Sequence, residues 1–230
     1  MAGRRFFSLY QYLGPLLLTP LACWLWWHTC QGDWRLMAQA VALPIVYAYI
    51  VPGVGTNVLK VWEFDTRFRL GRFRVQHGFV FGSATAVLAW LCHGGPARGL
   101  ADAAATAVVF GGVLGFVNIL YDIRAIESGL LRVYNQPWAD GRGAEAIAMD
   151  YAPWFFGGFG AAYGLALALA EWWVASQSPG PWVFAVYFLV SLAFVIAVPV
   201  LGYRRRSLRL YGHDGCRPIP KGSRSTESTP

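Results

Sequence analysis

Acidic residues are concentrated in one polar stretch, residues 118–151, which lies between two long apolar segments. The stretch contains five acidic residues and three arginines: Asp122, Glu127, Asp140, Glu145, Asp150, Arg124, Arg132 and Arg142. Carboxylates transfer protons as general acids or bases, and they bind Mg²⁺ when a substrate carries a diphosphate. This stretch is therefore the first candidate for a working site, and Mg²⁺ is the cofactor that its residue types suggest.

Asp122 is the leading candidate for catalysis because of its position. It follows Asn118 by four residues at the end of an apolar segment, and residues four apart share one helix face. We expect Asp122 to act as general acid or base and Asn118 to orient the ligand. Glu127 lies about 140° further round the helix at 3.6 residues per turn. It can pair with Arg124 instead, so it is the weaker catalytic candidate.

Asp150 and Tyr151 stand immediately before the next apolar segment. A helix that begins there would place the Asp150 carboxylate at its positive end, where acidic residues act as caps. A capping role and a catalytic role explain the position of Asp150 equally well, and both interpretations stay open. Tyr151 is a candidate for substrate binding at the same boundary.

A second polar stretch, residues 57–77, follows another apolar segment. If the preceding helix continues through it, Glu63 faces Arg67 at a favourable four-residue separation, and Asp65 faces Arg69 in the same way. Exposed pairs of this kind occur without any function. The alternative is that Arg72 and Arg74 neutralise a phosphate-bearing lipid headgroup.

A short similarity links the two stretches. Asn57-Val-Leu and Asn118-Ile-Leu each close an apolar segment after a glycine, and an acidic residue, Glu63 or Asp122, follows soon after. Membrane proteins built from repeats place such polar ends together. On this interpretation Asn57 and Glu63 contact the substrate along with Arg72.

Composition indicates that lipid is the solvent of this chain. Hydrophobic residues make up 56% and charged residues only 13%, which leaves too little polar surface for a soluble chain of 230 residues. The net charge is +7, and the basic residues lie beside the apolar segments. Anionic lipid headgroups are their expected counterpart there. Nucleic acid is not an expected partner.

Six apolar segments are each long enough to cross about 30 Å of hydrocarbon as a helix. They are residues 10–30, 36–59, 75–92, 101–121, 152–173 and 182–203. We therefore predict an all-α, polytopic membrane protein with about six transmembrane helices, forming a single domain over residues 1–211. Residues 212–230 are rich in Gly, Ser, Pro and basic residues, and we predict a disordered cytosolic tail.

The distribution of basic residues predicts the orientation. Of the 19 Lys and Arg residues, Arg35 and Arg98 fall in the predicted outer loops and the other 17 on the inner side. The positive-inside rule then places both termini in the cytosol, with the protein in the cell membrane, or the inner membrane of a bacterium.

Glycines in the fourth and fifth segments, such as Gly111 and Gly160, allow close packing against other helices or partner proteins. On the outer side, His28, Cys30, Cys92 and His93 do not follow a known metal-ligand spacing. We predict no metal site there. Whether Cys30 pairs with Cys92 stays open.

Two functions from different classes fit these patterns. The first is a membrane enzyme, a transferase or cyclase, that acts on a lipid or isoprenoid substrate at the cytosolic interface. The second is a non-catalytic membrane subunit or assembly factor whose basic loops bind lipid. An ion-coupled transporter is less well supported, because transporters usually carry ionisable residues near the bilayer midplane and these segments are nearly free of them.

Overall fold

The computed structural model describes residues 2–222, and the side chains of residues 5–222. About 75% of the chain is helical, which confirms the all-α class. The helices are α1 (Ala2–Thr29), α2 (Trp34–Val58), α3 (His77–Cys92), α4 (Leu100–Glu127), the short α5 (Gln136–Ala139), α6 (Ala144–Gln177) and α7 (Pro181–Tyr211).

Each predicted apolar segment lies on one of these helices. Within residues 2–222, four helices are both long and apolar enough to cross a membrane, namely α2, α4, α6 and α7. Helix α3 is apolar but has only 16 residues. Helix α1 has 28 residues, but Gln11, Pro15 and Pro20 interrupt its apolar run. The structure therefore supports a membrane protein with at least four candidate spans.

The predicted continuation of α2 through Glu63 is wrong. The helix ends at Val58 in a turn of π-helix, and Lys60 adopts a positive φ of 60°. The chain then forms strands β1 (Trp62–Phe64), β2 (Arg69–Leu70) and β3 (Phe73–Arg74), and β4 (Leu131–Val133) follows α4. The pairs β1–β4 and β2–β3 are antiparallel. The alternation of apolar and polar residues from Val61 to Phe64 suits such a strand.

The most extensive helix packing in the described part of the chain joins α4 and α6, where the predicted glycines face each other. A Cβ on Gly160 would lie 2.7 Å from the carbonyl oxygen of Phe110, and one on Gly115 would lie 3.0 Å from the Cα of Gly157. Only residues without a side chain allow the backbones to come this close. These glycines are therefore used within the chain, whereas Gly112 faces open space.

The connections between helices gather at two opposite ends. At one end, the guanidinium of Arg35 donates to the carbonyl oxygen of Pro179, and Nε2 of His93 lies 2.8 Å from Oε1 of Glu171. At the other end, β1 pairs with β4 and joins the two polar stretches of the sequence. This arrangement brings residues 62–74 next to residues 118–151.

Residues 212–222 follow α7 and contact the second end. The amide of Ile219 donates to the carbonyl oxygen of Tyr134 at 3.0 Å, and the amide of Gly222 donates to that of Ala139 at 3.2 Å. Residues 223–230, the rest of the predicted tail, lie outside the described residues.

Candidate functional site

Asp122 and Tyr151 meet at the centre of the second end. Asp122 lies in the last two turns of α4 and Tyr151 near the start of α6, and their side chains are buried. The Tyr151 hydroxyl donates a hydrogen bond of 2.5 Å to Oδ2 of Asp122. A carboxyl group and a hydroxyl in this contact can pass a proton to a bound ligand.

Arg74 lies at the end of β3 and is 1% exposed. Its Nη2 lies 2.8 Å from Nδ1 of His77, and its Cζ lies 5.0 Å from the centre of the Phe64 ring. Its Nε and Nη1 have no hydrogen-bond partner among the described residues. A buried cation with two unmet donors is costly to the fold, which points to an anionic ligand.

The Tyr121 hydroxyl interacts with the Arg74 guanidinium, although it forms no hydrogen bond of ordinary geometry in the described part of the chain. Within residues 5–222, seven buried side-chain nitrogens and oxygens are unpaired. Three of them, on Arg74 and Tyr121, belong to residues that line a single cavity. Most buried polar groups in proteins are hydrogen-bonded to protein or to ordered water, so these groups are available to water or to a ligand in the cavity.

This cavity, the Arg74 cavity, contains about 810 Å³ of empty space including its open mouth. The part of this space that the centre of a water molecule can enter is about 80 Å³, which is smaller than the ~300–1,000 Å³ of common ligand sites. Arg74, Asp122, Asn118, Tyr121 and Tyr151 supply its polar wall. The other walls are largely aromatic and include Tyr47, Trp62, Phe64, Phe81, Phe155 and Phe156. The cavity therefore combines a small polar end with a long apolar body.

Local features of three elements build the aromatic wall. A Cβ on Gly55 would lie 2.4 Å from the Trp62 ring, so the glycine lets this ring rest against α2. The pairing of Trp62 with Val133 fixes the strand that carries the ring. Phe155 and Phe156 belong to a π-helical turn, Pro153–Gly158, and both line the cavity. Such turns are frequent at functional sites.

The structure brings together four of the residues proposed from the sequence: Asp122, Asn118, Tyr151 and Arg74 all line the Arg74 cavity. The side-chain amide of Asn118 donates to the carbonyl oxygen of Leu114 at 2.8 Å, which leaves its oxygen and its second N–H as groups that can meet a ligand. Their catalytic and binding roles remain predictions.

Glu127 lies away from the cavity. Its Oε2 is 2.8 Å from Nη1 of Arg124, and both side chains are largely exposed. This is the local pair that the sequence offered as the alternative to catalysis.

Asp150 has a different setting from the one expected. Helix α6 begins at Ala144, so Asp150 lies inside the helix and the predicted N-terminal cap is wrong. Its carboxylate accepts hydrogen bonds from Asn135 at 3.0 Å, from Tyr211 at 2.9 Å and from the Arg206 guanidinium. These bonds attach α7 to α6 and to the loop before it.

Asn57, Glu63 and Arg72 lie beside the cavity and hold the loop that carries Arg74. The Asn57 side chain donates to the carbonyl oxygen of Leu70 at 3.1 Å and accepts from the amide of Arg72 at 2.9 Å. The Arg72 guanidinium is exposed and donates to the carbonyl oxygen of Lys60. Their placement makes these side chains supports of the loop in the structure.

The predicted pairs of Glu63 with Arg67 and of Asp65 with Arg69 do not form. Glu63 accepts a hydrogen bond of 2.7 Å from the Tyr134 hydroxyl, and this bond holds the pKa of Glu63 below its usual value. Asp65 lies 3.9 Å from Arg132 instead. Both acidic residues thus bind partners from the other polar stretch, as the pairing of β1 with β4 requires.

Sequence reasoning missed Tyr121 and the aromatic residues of the walls. Tyr121 precedes Asp122 and follows Asn118 by three residues, so its position beside both was available as a signal. Tyr47 and Phe81 gave none, because they reach the cavity from α2 and α3.

Glu171 was also missed, and it is a buried acidic residue inside α6. Its two oxygens accept from Nε2 of His93 at 2.8 Å and from the amide of Ala97 at 3.1 Å. These bonds fasten the loop after α3. Cys30 and Cys92, at the same end, are not bonded to each other.

Metal ligands are scarce at the cavity. Among the described residues there is no group of three or more His, Cys, Asp and Glu side chains that could hold a metal ion. Asp122 is the single carboxylate lining the Arg74 cavity in this part of the chain. Asp122 is therefore the one lining residue that could hold Mg²⁺, together with the phosphates of a substrate, since magnesium sites in proteins usually combine one or two carboxylates with substrate phosphates.

Comparisons with family models, curated proteins and solved structures found no match to this chain.

Proposed function

We propose that this protein is a membrane-embedded enzyme that acts on a lipid or isoprenoid substrate with an anionic headgroup. The supporting observation is the Arg74 guanidinium, which is buried at the polar end of an apolar cavity with two donors unpaired. An anionic headgroup would satisfy these donors and the Tyr121 hydroxyl, while the aromatic walls would hold the hydrocarbon part.

Asp122 and Tyr151 are the proposed proton-transfer pair. The carboxylate of Asp122 takes or delivers a proton at the substrate atom next to the headgroup, and Tyr151 keeps the carboxylate oriented through their hydrogen bond. Asn118 contacts the ligand beside them. The aromatic walls also suit a positively charged intermediate, so cyclisation of an isoprenoid is one reaction of this class, and transfer of a group is the other.

The proposed topology has six spans with both termini in the cytosol, in the cell membrane. The charge bias supports it, since 17 of the 19 basic residues belong to the predicted inner segments. Reporter fusions after Arg74, Arg142 and Arg206 should report cytosol. Fusions after Arg98 and Ser178 should report the outside. An outside signal at Arg142 would contradict this topology.

Mass spectrometry of lipid extracts tests the enzyme. Cells that lack the gene should lose one lipid species or accumulate its precursor. Asp122→Asn should fail to restore the species although the protein accumulates normally in the membrane. Asp140→Asn is the matched control, because Asp140 is exposed and outside the cavity, and it should restore the species. Restoration by Asp122→Asn would remove Asp122 from the proposed mechanism.

A non-catalytic, lipid-binding subunit is the second candidate. The unpaired donors of Arg74 require a ligand but not a reaction. In that case the purified protein should retain an anionic lipid, Arg74→Met should lose it, and deletion of the gene should leave the cellular lipids unchanged. A changed lipid species in the deletion strain would refute this alternative.

A further inference from the structure

A second cavity adjoins the first on the far side of its aromatic wall. Val51, Trp62, Tyr151 and Phe155 line both cavities. The centre of the Trp62 ring lies 6.0 Å from the centre of the Tyr151 ring and 5.2 Å from the centre of the Phe155 ring. The second cavity, here the Arg204 cavity, contains about 860 Å³ of empty space including its open mouth.

The Arg204 cavity is elongated. One side is formed by α2 and the chain that follows it, from Ile50 to Val61, and the other by α7, from Ile196 to Arg204. Ile196 and Arg204 are eight positions apart, which corresponds to about 12 Å along α7 at 1.5 Å per helical residue. Ile50, Val54, Ile196 and Val200 make this length apolar, which suits a hydrocarbon chain.

Polar groups gather towards one end of the Arg204 cavity. Asn135, Cys216 and Arg204 contribute there, and Arg204 is the single charged residue among the described lining residues. Its guanidinium is about half exposed, with Asp214 at 3.6 Å. An exposed pair at this distance is weak, so Arg204 can also contact a phosphate at the cavity mouth.

Two residues that line the cavity are exposed on the surface of α2. Ile50 and Val54 are 39% and 42% exposed, and both belong to α2, one of the helices long and apolar enough to span. Chains of membrane lipids are the molecules present at such a surface. Apolar burial alone does not drive their binding there, because lipid tails are as apolar as the protein. Selectivity must come from shape and from the charge of Arg204.

We propose that the Arg204 cavity binds an acyl chain of an anionic phospholipid, with the phosphate at Arg204. The protein then holds two apolar molecules on opposite faces of the wall formed by Trp62, Tyr151 and Phe155. This second site does not depend on the chemistry proposed for the Arg74 cavity.

Photo-crosslinking in nanodiscs tests the proposal. Phosphatidylglycerol with a diazirine on its acyl chain should label residues of the cavity, such as Val54. Val200→Trp fills the cavity and should abolish this label. Leu201→Trp is the matched control: it adds the same side chain at the next position, which is 60% exposed, and the label should persist. Equal labelling in both variants would overturn the proposal.

Arg204→Gln gives a second test that leaves the packed interior intact. It should lower labelling by the phosphatidylglycerol probe by up to about fivefold, the upper range for an exposed ion pair, and leave labelling by a phosphatidylcholine probe unchanged. Labels spread evenly around the helices, irrespective of headgroup, would show boundary lipid only and overturn the proposal. Arg74→Met should leave the label in place, so failure of the first site and failure of this one are distinguishable.

Discussion

Replacing Arg74 by methionine should stabilise the empty protein and abolish binding of an anionic ligand. The guanidinium is 1% exposed and contacts His77 and the Phe64 ring, and it also interacts electrostatically with Tyr121 and Asp122. Burial of an ion costs several kcal/mol. The hydrogen bond to His77 recovers roughly 1.5–3 kcal/mol, and the ring contact recovers about 2 kcal/mol at most.

The balance is therefore unfavourable or close to zero while the cavity is empty. Replacing a whole buried ion pair by packed apolar residues stabilises other proteins by ~1–4 kcal/mol. We expect Arg74→Met to reach only the lower end of this range, because it removes the positive charge near Asp122. A ligand present at a hundred times its Kd should stabilise the wild type by about 2.7 kcal/mol and the variant not at all.

The assay is thermal unfolding of the delipidated protein in detergent, with and without an added lipid phosphate such as an isoprenyl monophosphate. Arg98→Met is the matched control. Arg98 is exposed and does not line the cavity, so its substitution should leave both the stability of the empty protein and the ligand-induced shift nearly unchanged.

The opposite result would refute this reasoning. If Arg74 serves only as the counter-ion of Asp122, whose carboxylate it influences, then Arg74→Met should destabilise the protein. Adding Asp122→Asn should then restore the lost stability. A ligand-induced shift of normal size in Arg74→Met would likewise exclude Arg74 from the binding site.

Three further predictions concern stability and can be measured by unfolding in detergent. Gly82→Ala should destabilise the protein by about 1–3 kcal/mol, because the new Cβ would lie 2.5 Å from the backbone of α2. Gly112→Ala places its Cβ in open space and should stabilise the protein by roughly 0.5–1 kcal/mol. Equal effects of the two substitutions would contradict the packing. The pKa of Glu63 is lowered by the Tyr134 hydroxyl. The stability that ionised Glu63 contributes is therefore complete above the usual pKa of 4.5 and is lost as the pH falls through the lowered pKa. Tyr134→Phe should flatten the pH dependence of stability in this acidic range, and an unchanged profile would count against the bond. Asp150→Asn should destabilise the protein by about 3 kcal/mol. This is the lower end of the range for a broken buried pair, because Arg206, the partner of Asp150, is 32% exposed. A neutral effect would show that α7 is held elsewhere.

The sequence by itself determined the class of the protein and the positions of its helices. Each of the six apolar segments lies on a helix, because twenty or so apolar residues in succession satisfy their backbone groups best as a helix. Asn118 and Asp122 were expected on one helix face, and both line the Arg74 cavity. This prediction needed only the helical period.

Contacts between distant residues were decided by the tertiary structure. Tyr151 bonds to Asp122 across 29 positions, and the burial of Arg74 depends on the small strands that follow α2. The sequence suggested helix for residues 59–69, since acidic and basic residues recur there at four-residue spacing, but the pairing of β1 with β4 prevailed. Asp150 likewise became an attachment point for α7.

The physical reason is the range of the interactions involved. Helix formation and membrane insertion depend on residues within a few turns, so composition and periodicity record them. A cavity depends on which helix faces meet, and this is set by close packing over the whole chain, such as the contact of α4 with α6 at Gly115 and Gly160. The cavity at which two donors of Arg74 lack a hydrogen-bond partner among the described residues could therefore be located only in the folded protein.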